Sequence, residues 1–360
     1  MKISAVKSLG ELVEAGVIQL TRGKVISKND IAAFPGNYPV YSSAKENDGK
    51  FGEYGRYMFD EELITWSVDG GGRLFHRLKH RFSVTNIGGV LRILDKSILD
   101  YKYLYYVLTL RHSEVTFDWV KKAHPSIIKK LYKNIPITPL SEQRRIVGIL
   151  DEAFDSIAIA KANAEKNLQN ARALFESYLH RADAEKARLG DLVDITTGKL
   201  DANAAVEGGE YPFFTCSRDA YAIDEYAFDC EAILLAGNNA VGDFNVKHYK
   251  GKFNAYQRTY VITVNNEECV LYRFLYFQIL KCLEKFKEQS VGAGTKFLKL
   301  GMIKDMKIAL PSLHEQGLIA SKMDALLKET ERLESVYQQK LATLDELQKS
   351  LMYQAFNEEL

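Results

Sequence analysis

The sequence predicts an α+β fold in which two similar globular segments are separated by two long helices that pair as an antiparallel coiled coil. Residues 140–180 contain no Pro and a single Gly, Gly148, which predicts one helix of about 40 residues and about 60 Å. Its hydrophobic pattern returns 173 positions later, from Met323 onward. Short motifs in the segment before the first helix also return before the second. Matching segments followed by matching helices indicate an internal repeat.

The hydrophobic positions of both helices follow the three–four spacing of a coiled-coil seam, the line of side chains that faces a partner helix. A polar residue occupies the same step of each seam, Asn167 in the first helix and Lys340 in the second. Such a residue can fix the register of a helix pair at some cost in stability. The predicted seam comprises Leu150, Ala153, Ile157, Ala160, Ala164, Asn167, Ala171, Leu174 and Tyr178, with Met323, Leu326, Thr330, Leu333, Tyr337, Lys340, Leu344, Leu347 and Leu351.

The globular segments share motifs at corresponding places. Ser-Leu-Gly-Glu-Leu-Val at 8–13 corresponds to Arg-Leu-Gly-Asp-Leu-Val at 188–193, and Gly-Asn-Tyr-Pro-Val-Tyr-Ser at 36–42 corresponds to Gly-Glu-Tyr-Pro-Phe-Phe-Thr at 209–215. The predicted domains are therefore a first globule over 1–139, a helix over 140–182, a second globule over 183–310 and a helix over 311–360.

Within the first globule, the pattern predicts an amphipathic piece, several short strands bounded by Gly, Asn and Asp, a helix, and an extended or turn element before the closing segment. Ser141 can cap the first long helix, and Ser312 with Glu315 forms a capping box for the second. These elements lie at 6–17 (amphipathic), 38–41, 63–66 and 88–94 (strands), 101–116 (helix), 124–128 (extended or turn) and 133–139 (closing); the second globule has its helix at 271–286.

Composition indicates a cytoplasmic protein. The four Cys residues form no Cys-x-x-Cys pair and have no His at metal-ligand spacing, which favours reduced thiols and disfavours a zinc site. No signal-peptide pattern is expected at the N-terminus, and no apolar run reaches the roughly 18 residues of a membrane span. The net charge is +1, but residues 1–139 carry 21 Lys and Arg against 14 Asp and Glu. Bulk charge therefore favours a polyanion partner for the first globule alone.

Motifs that carry catalysis are missing. Gly-Ala-Gly-Thr-Lys at 292–296 lacks the spacing of a phosphate-binding Walker loop, and Gly-Gly-Gly at 70–72 is no dinucleotide fingerprint. The sequence has no Gly-x-Ser-x-Gly nucleophile elbow and no His-Glu-x-x-His zinc motif. No Asn-Pro-Pro-Tyr-type motif of amino-methyltransferases occurs either. We therefore expect a binding protein without catalytic activity and without a metal of its own.

A basic stretch with interleaved aromatics, residues 73–82, is the first candidate for DNA contact, since Arg and Lys bind phosphates. A similar stretch occupies 247–253 of the second globule. The alternative is an exposed hairpin with a solvated charged face, but its presence in both repeats favours function. The candidate residues are Arg73, His76, Arg77, Lys79 and Arg81, and Lys247, Lys250 and Lys252.

Polar loops form a second set of candidates, because Ser, Asn and Arg can discriminate base edges and Gly allows close backbone approach. Each such residue is also ordinary turn chemistry, which is the better interpretation for any one of them alone. These candidates are Ser42, Ser43, Lys45, Ser67, Lys129 and Lys130 in the first globule, and Thr215, Ser217, Arg218, Asn238, Asn239 and Lys296 in the second.

The region of the first helix contains the stretches Pro-Leu-Ser-Glu-Gln-Arg-Arg-Ile-Val-Gly-Ile-Leu-Asp-Glu-Ala-Phe at 139–154 and Ala-Asn-Ala-Glu-Lys-Asn-Leu-Gln-Asn-Ala-Arg-Ala-Leu-Phe-Glu-Ser at 162–177. Both stretches resemble the central conserved region of specificity subunits of type I restriction–modification systems. Leu-His-Glu-Gln at 313–316 and the stretch 332–351 resemble their distal conserved region. The resemblance is specific in the helices and weak in the globules. The second helix departs from it, since Gly317-Leu318 replaces the basic pair Arg144-Arg145.

The resemblance implies that each globule is a target-recognition domain for one half of a bipartite, asymmetric site in double-stranded DNA. The helices would fix the spacer between the halves. Two modification (methyltransferase) subunits would carry S-adenosylmethionine, and restriction (translocase–nuclease) subunits would join with ATP and Mg²⁺, leaving no cofactor in this chain. The near-neutral second globule would need local contacts or charge from partner subunits. The main alternative is a protein-interaction adaptor with two binding domains on a coiled coil; a free-standing nuclease or methyltransferase lacks any motif.

Overall fold

The computed structural model describes residues 5–43, 47–69, 71–115, 122–179, 186–292 and 294–357, and, of residues 178 and 179, the backbone alone. The chain divides into two compact units. Unit 1 comprises Met1–Asn163 with Gln339–Leu360, and unit 2 comprises Ala164–Gln338. Each long helix therefore contributes residues to both units. Within the described residues, no helix is long and apolar enough to cross a membrane.

Unit 1 is built on a six-stranded sheet. Its elements are β1 (Ala5–Lys7), α1 (Leu9–Glu14), β2 (Ile18–Arg22), α2 (Lys28–Ala33), β3 (Tyr38–Tyr41), β4 (Lys50–Tyr54), β5 (Phe59–Ser67), β6 (Leu74–Val84), β7 (Gly88–Ile93), α3 (Tyr101–Glu114), α4 (Pro125–Leu131), β8 (Ile135–Ile137) and the first part of α5 (Leu140–Leu179). The strand order is β2-β7-β5-β6-β3-β4, and β1 pairs with β8 separately. Apart from the parallel β3–β6 pair, neighbouring strands run antiparallel.

Unit 2 has the same sheet. Its elements are β9 (Lys186–Arg188), β10 (Val193–Thr197), β11 (Tyr211–Phe214), β12 (Tyr221–Ile223), β13 (Phe228–Ala236), β14 (Asn238–Asn239), β15 (Val246–Ala255), β16 (Thr259–Val264), α6 (Tyr272–Lys281), α7 (Leu283–Gln289), β17 (Lys296–Phe297), α8 (Leu300–Lys304), β18 (Lys307–Ala309) and the first part of α9 (Leu313–Phe356). The order β10-β16-β13-β15-β11-β12 reproduces that of unit 1 strand for strand. The predicted repeat is confirmed.

Strand β5 is buried on both faces, because successive hydrophobic side chains point to opposite faces of the sheet and each face packs against a core. Ile64 and Trp66 join the main core of unit 1, and Leu63 joins a smaller core on the opposite face with Phe82 and Val90. Helix α3 contributes Leu104 and Leu108 to the main core. The two faces therefore fix the register of the strand, since a shift by one residue would exchange them.

Two buried glutamines fasten the long helices to the globules. Gln143 accepts a hydrogen bond from the Asp100 backbone N–H (2.9 Å) and donates to the carbonyls of Ile98 and Thr138. Gln316 in α9 makes the same three bonds in unit 2. Both side chains are fully buried. The residues that the sequence marks as part of a conserved-region motif thus hold each helix against a globule.

The pairing of α5 with α9 is visible inside each unit. In unit 1, Lys161 bonds to Asp345 (2.5 Å) and Gln348, and Leu150 shares the main core with Met352. In unit 2, Arg172 bonds to Glu334 (2.6 Å) and Phe175 packs near Met323, Leu326 and Leu327. As α5 advances, its partners in α9 move backward, so the helices are antiparallel, as predicted.

The predicted polar break in the seam is wrong. Asn167 and Lys340 are exposed, whereas the next residue in each helix, Leu168 or Leu341, is partly buried. Leu174 and Leu347 are likewise exposed (52% and 45%), and Phe175 and Gln348 take the inner positions. Both helices shift by one residue at the same step because an α-helix turns every 3.6 residues, not every 3.5. Tyr178 lies outside the described side chains.

Four local predictions also need correction. Residues 125–128 belong to helix α4, with His124 as its N-cap, and the first turn accommodates Pro125, since proline at that position loses no helical hydrogen bond. Residues 6–17 split into β1 and α1, because Ser8 caps the helix at Leu9.

Residues 271–286 form two helices that meet at Cys282. Ser141 lies inside α5, and the Pro139 carbonyl accepts the first N–H bonds instead. The Ser312–Glu315 capping box is confirmed.

Candidate DNA interface

The loops at one end of each sheet bring most of the polar candidates together. In unit 1 we call residues 22–24, 42–43, 67–69, 71–73 and 84–88 loop cluster 1. Gly23 N–H donates to the Gly88 carbonyl and Val68 N–H to the Ile87 carbonyl, so separate connections are tied into one surface. The turn between β5 and β6 uses Gly71 and Gly72 at φ of 77° and 73°, a region in which glycine is favoured.

Ser43 joins three connections of loop cluster 1. Its hydroxyl donates to the Ile87 carbonyl (2.5 Å) and accepts from the Asp69 backbone N–H (3.2 Å). Ser42 accepts a hydrogen bond from Thr85 Oγ1 (2.9 Å). Both serines therefore hold the cluster together, and Ser67 is buried beneath it. Lys45, the remaining candidate of this loop, lies outside the described residues.

Loop cluster 1 and the neighbouring residues 122–124 contain basic side chains that the sequence interpretation missed. Arg22 donates to the Asn86 carbonyl from Nε (2.9 Å) and approaches His124 Nδ1 (3.4 Å). Lys24 is exposed, and Lys122 pairs with Asp69 (3.3 Å). Arg22 and Lys24 are about 100 residues from Lys122 in the sequence, so only the fold could bring them together.

In unit 2, loop cluster 2 comprises residues 215–218, 237–245, 256–258 and 296. Arg218 pairs with Asp243 (2.6 Å), which joins two of its connections. Asn239 Oδ1 accepts from the N–H groups of Val241 and Asp243 and shapes the turn between β13 and β15. Beside it lies a cavity of about 320 Å³ lined in part by Arg218, Asp243 and Lys287.

The remaining candidates of loop cluster 2 are also bonded. Lys247 Nζ, at the edge of the cluster, donates to the Ser217 carbonyl and to Asn245 Oδ1 (both 2.6 Å). Burial lowers the pKa of Lys247. Thr215 is buried and accepts from the Ser217 N–H (3.1 Å), and Asn238 and Asn239 form β14, which pairs with Lys296 and Phe297. Sequence interpretation missed Asn245 and Arg258, because neither belongs to a recognisable motif.

The basic stretches do not form one patch. Arg73 and Arg81 are eight residues apart, about 26 Å along an extended strand. Of the two, Arg73 lies in loop cluster 1, whereas Arg81 bonds to Asp60 (3.2 Å) near the opposite end of β6. Lys79 is exposed at a bulge, and Arg77 is buried (6% exposed). In β15, Lys250 pairs with Glu231 and Lys252 lies over the Tyr226 ring.

Both units pair a strand histidine with a strand glutamate. His76 lies 2.7 Å from Glu62 and stacks on Tyr105, and His248 lies 2.9 Å from Glu231 and stacks on Tyr272. The side chain of His76 is therefore engaged within its own sheet. Lys129 pairs with Glu14 (3.0 Å), while Lys130 is exposed at the end of α4. DNA contact by these residues stays a prediction.

Among the described residues, no group of three or more His, Cys, Asp or Glu could hold a metal ion. Cys216, Cys230, Cys269 and Cys282 are free thiols. The polar side chains at the loop ends are mostly bonded to backbone carbonyls and N–H groups. Such an arrangement can present fixed donors and acceptors to a ligand surface, which suits recognition.

Comparison with known proteins identifies relatives over the whole repeat. The family model of the type I restriction modification DNA specificity domain matches residues 1–170 and again residues 182–342. The specificity subunit of the type I restriction enzyme EcoDI from Escherichia coli is 43% identical over 180 residues, which are 49% of this chain and 39% of that subunit. A Mycoplasma pneumoniae protein that bears the name of a putative type I specificity subunit is 27% identical over 334 residues, 86% of this chain and 87% of that protein.

Solved structures show a similar fold. A chain of a type I R-M system, solved in work on its complex assembly and conformational transition, superposes with a TM-score of 0.73 at 14% identity and full coverage of both chains. The HsdS subunit from Thermoanaerobacter tengcongensis gives a TM-score of 0.50 at 13% identity, covering 96% of this chain and 97% of that one. At these identities the similarity concerns the fold alone.

Proposed function

Because this chain belongs to the family of type I restriction–modification DNA specificity domains, we propose that it is the DNA-reading subunit of a type I restriction–modification complex and carries no catalytic centre of its own. The observation that carries the proposal is that each unit has a six-stranded sheet of the same strand order, and each sheet has a cluster of polar loops at one end. Each loop end offers polar side chains held in place by backbone hydrogen bonds. Two such surfaces in one chain suit a DNA site in two parts.

Each unit would read one half of a bipartite site. In unit 1, the exposed Arg22, Lys24 and Arg73 of loop cluster 1 can contact phosphates, which position a protein on DNA without reading its sequence. In unit 2, the turn carrying Asn239 and the exposed Arg218 can approach base edges, where amide and guanidinium groups distinguish A and G. Phosphate contacts would thus orient each unit while the fixed loops discriminate bases.

Partner subunits would supply the chemistry. Two modification subunits would dock on α5 and α9 and carry S-adenosylmethionine, and restriction subunits would join them and use ATP and Mg²⁺. α5 and α9 would also set the length of the nonspecific gap, since both helices contribute residues to each unit. Inserting four residues after Ala164 would then lengthen the preferred gap and leave both half-sites unchanged. A subunit with these partners would work in the cytoplasm.

The test is DNA binding by the complex reconstituted with its modification subunits. Arg22→Ala with Lys24→Ala should weaken binding to all sequences alike and reduce the salt slope of log K by about 0.9 for each phosphate that is no longer neutralised. Lys96→Ala, an exposed lysine beyond the other end of β7, is the matched control and should leave binding unchanged. Equal affinity of the wild-type complex for cognate and scrambled half-sites would refute the proposal.

The adaptor hypothesis makes the opposite prediction for charge reversal. If the globules bind proteins, Arg22→Glu with Lys24→Glu should leave DNA binding and modification intact. If unit 1 reads DNA, the same change should abolish modification at sites that need the first half-site. The charge excess of residues 1–139 favours DNA reading by this unit.

A further inference from the structure

Arg77 lies in the basic stretch of β6 but does not face solvent. Its guanidinium is buried between the rings of Tyr41 (3.6 Å to the centroid) and Phe75 (4.6 Å). Its Nε donates to Thr65 Oγ1 (3.1 Å), and its Nη2 donates to the Asp48 carbonyl. Burial lowers the pKa of Arg77, with Tyr41 the largest opposing influence, yet arginine remains charged at neutral pH. The side chain is thus committed to internal contacts.

The carbonyl that Arg77 binds belongs to a strained turn. Asn47 and Asp48 have φ of 47° and 52°, a left-handed conformation that non-glycine residues rarely adopt without support. The adjacent Gly49 carbonyl accepts from the Ser42 N–H (2.8 Å), which closes the loop on itself. The described ends of the loop between β3 and β4 are therefore held at two points, by Ser42 at its start and by Arg77 near its end.

Unit 2 fixes its corresponding loop by different residues. Lys247, at the start of β15, donates to the Ser217 carbonyl (2.6 Å), and the buried Asn245 donates from Nδ2 to the Cys216 carbonyl (2.9 Å). In unit 1, the buried cation Arg77 on β6 holds the loop that carries Ser42 and Ser43. In unit 2, the half-buried cation Lys247 on β15 holds the loop that carries Thr215 and Ser217. The role recurs, although the residues that perform it differ.

We infer that Arg77 is a positioning residue that sets the specificity of unit 1 by holding residues 42–43 and 47–49 between β3 and β4 in place for binding, without touching DNA itself. The inference rests on the proposed function. The alternative role is a direct phosphate contact by Arg77, which the basic run around Arg77 suggests. The two roles differ in measurable ways, because a phosphate contact contributes to the salt slope whereas a loop conformation contributes to base discrimination.

The experiment measures the reconstituted complex on cognate DNA and on DNA with one mismatched base pair in either half-site, at several salt concentrations. For Arg77→Gln we expect discrimination against first-half-site mismatches to fall by about tenfold, the size of one base preference. Discrimination in the second half-site and the salt slope should not change. Thr65→Val, which removes one acceptor of Arg77 and keeps the side-chain shape, should act in the same direction more weakly and covers the case in which Arg77→Gln unfolds unit 1.

Arg92→Gln is the matched control. Arg92 in β7 is half-buried and bonds to Glu61, away from the loop, so its replacement should affect stability without affecting discrimination. A fall in the salt slope by about 0.9 with discrimination retained would make Arg77 a phosphate contact and overturn the inference. Lower thermal stability with both binding properties unchanged would overturn it too. A wild-type complex without sequence preference would refute the proposed function itself.

Discussion

At the scale of single residues, Gln143 shows how one side chain can join a helix to a globule. Replacing it with Leu removes the side-chain partners of three backbone groups, the buried Thr138 carbonyl and the partly buried Ile98 carbonyl and Asp100 N–H, which should lower the free energy of unfolding by about 3 kcal/mol. Gln316→Leu should have a similar effect in unit 2. Urea denaturation measures both, with the exposed Gln169→Leu in α5 as control. A loss of stability no larger than that of the control would show that these bonds do not fasten the helix.

Glu231 gives unit 2 a pH dependence. Burial alone would raise the pKa of Glu231, but hydrogen bonds from Lys250 and His248 outweigh it and lower the pKa below its ordinary value of 4.5. A carboxylate with a lowered pKa in the folded state stabilises the protein above the unfolded pKa, and this contribution is lost as pH falls through the folded pKa. The stability difference between wild type and Glu231→Gln should therefore shrink as pH falls from about 5 to 3.

Thermal midpoints of the two proteins at several pH values measure this difference. Ser217→Ala serves as a control because it changes no charged group. The difference between its thermal midpoint and that of the wild type should be the same at every pH. A constant difference between wild type and Glu231→Gln across the range would contradict the role assigned to the Glu231 carboxylate.

The site could be predicted from sequence only where its residues stand in runs or repeats. Ser42, Ser217 and Arg218 were identifiable because corresponding loops follow corresponding strands. Arg22 and Asn245 were not, since their position in the loop clusters depends on strand order. Arg77 shows the converse, because a basic run predicts exposure, whereas the fold buries Arg77 between the rings of Tyr41 and Phe75.

At the scale of elements, the corrected seam makes a prediction for the helix pair. Leu168→Ala should destabilise the protein by about 1–2 kcal/mol, less than for a fully buried Leu because its side chain is only partly buried. Asn167→Ala should change stability by less than about 0.5 kcal/mol, as an exposed substitution does. Chemical denaturation of both variants compares adjacent positions in one helix. The reverse order of effects would restore Asn167 to the seam.

The end of α9 completes the core of unit 1. Phe356 is 2% exposed, and its ring lies 5.4 Å from that of Tyr103. Phe356→Ala should cost about 3–5 kcal/mol, because it leaves a cavity in the main core. Tyr353→Ala, an exposed aromatic one turn earlier, should cost far less. Equal destabilisation in the two variants, measured by thermal unfolding, would show that the end of α9 is not part of this core.

Element types followed from sequence where the periodicity was long and failed where a local feature decided. Helix α5 was predictable over its full length because its hydrophobic spacing continues without Pro. Helix α4 was missed because Pro125 looked like a breaker, although proline is favourable in a first turn. The break at Cys282 between α6 and α7 leaves no mark in the hydrophobic pattern.

At the scale of the whole molecule, the repeat predicted from sequence is the feature that the structure supports most fully. The repeats share a six-stranded sheet of the same strand order, a buried glutamine with backbone partners at corresponding positions, and a loop cluster. The side chains in the loops differ between the repeats. Conserved architecture with different loops is the arrangement expected if each unit reads its own half-site.

The most direct test of this account is to map methylated bases by long-read sequencing in cells that express this chain with its modification subunit. We predict one asymmetric motif made of two defined halves with a fixed nonspecific gap. Exchanging residues 237–245 for the loop of a related subunit should change one half and leave the other half and the gap unchanged. A single contiguous motif, or an exchange that alters both halves, would contradict the claim that the two units read DNA separately.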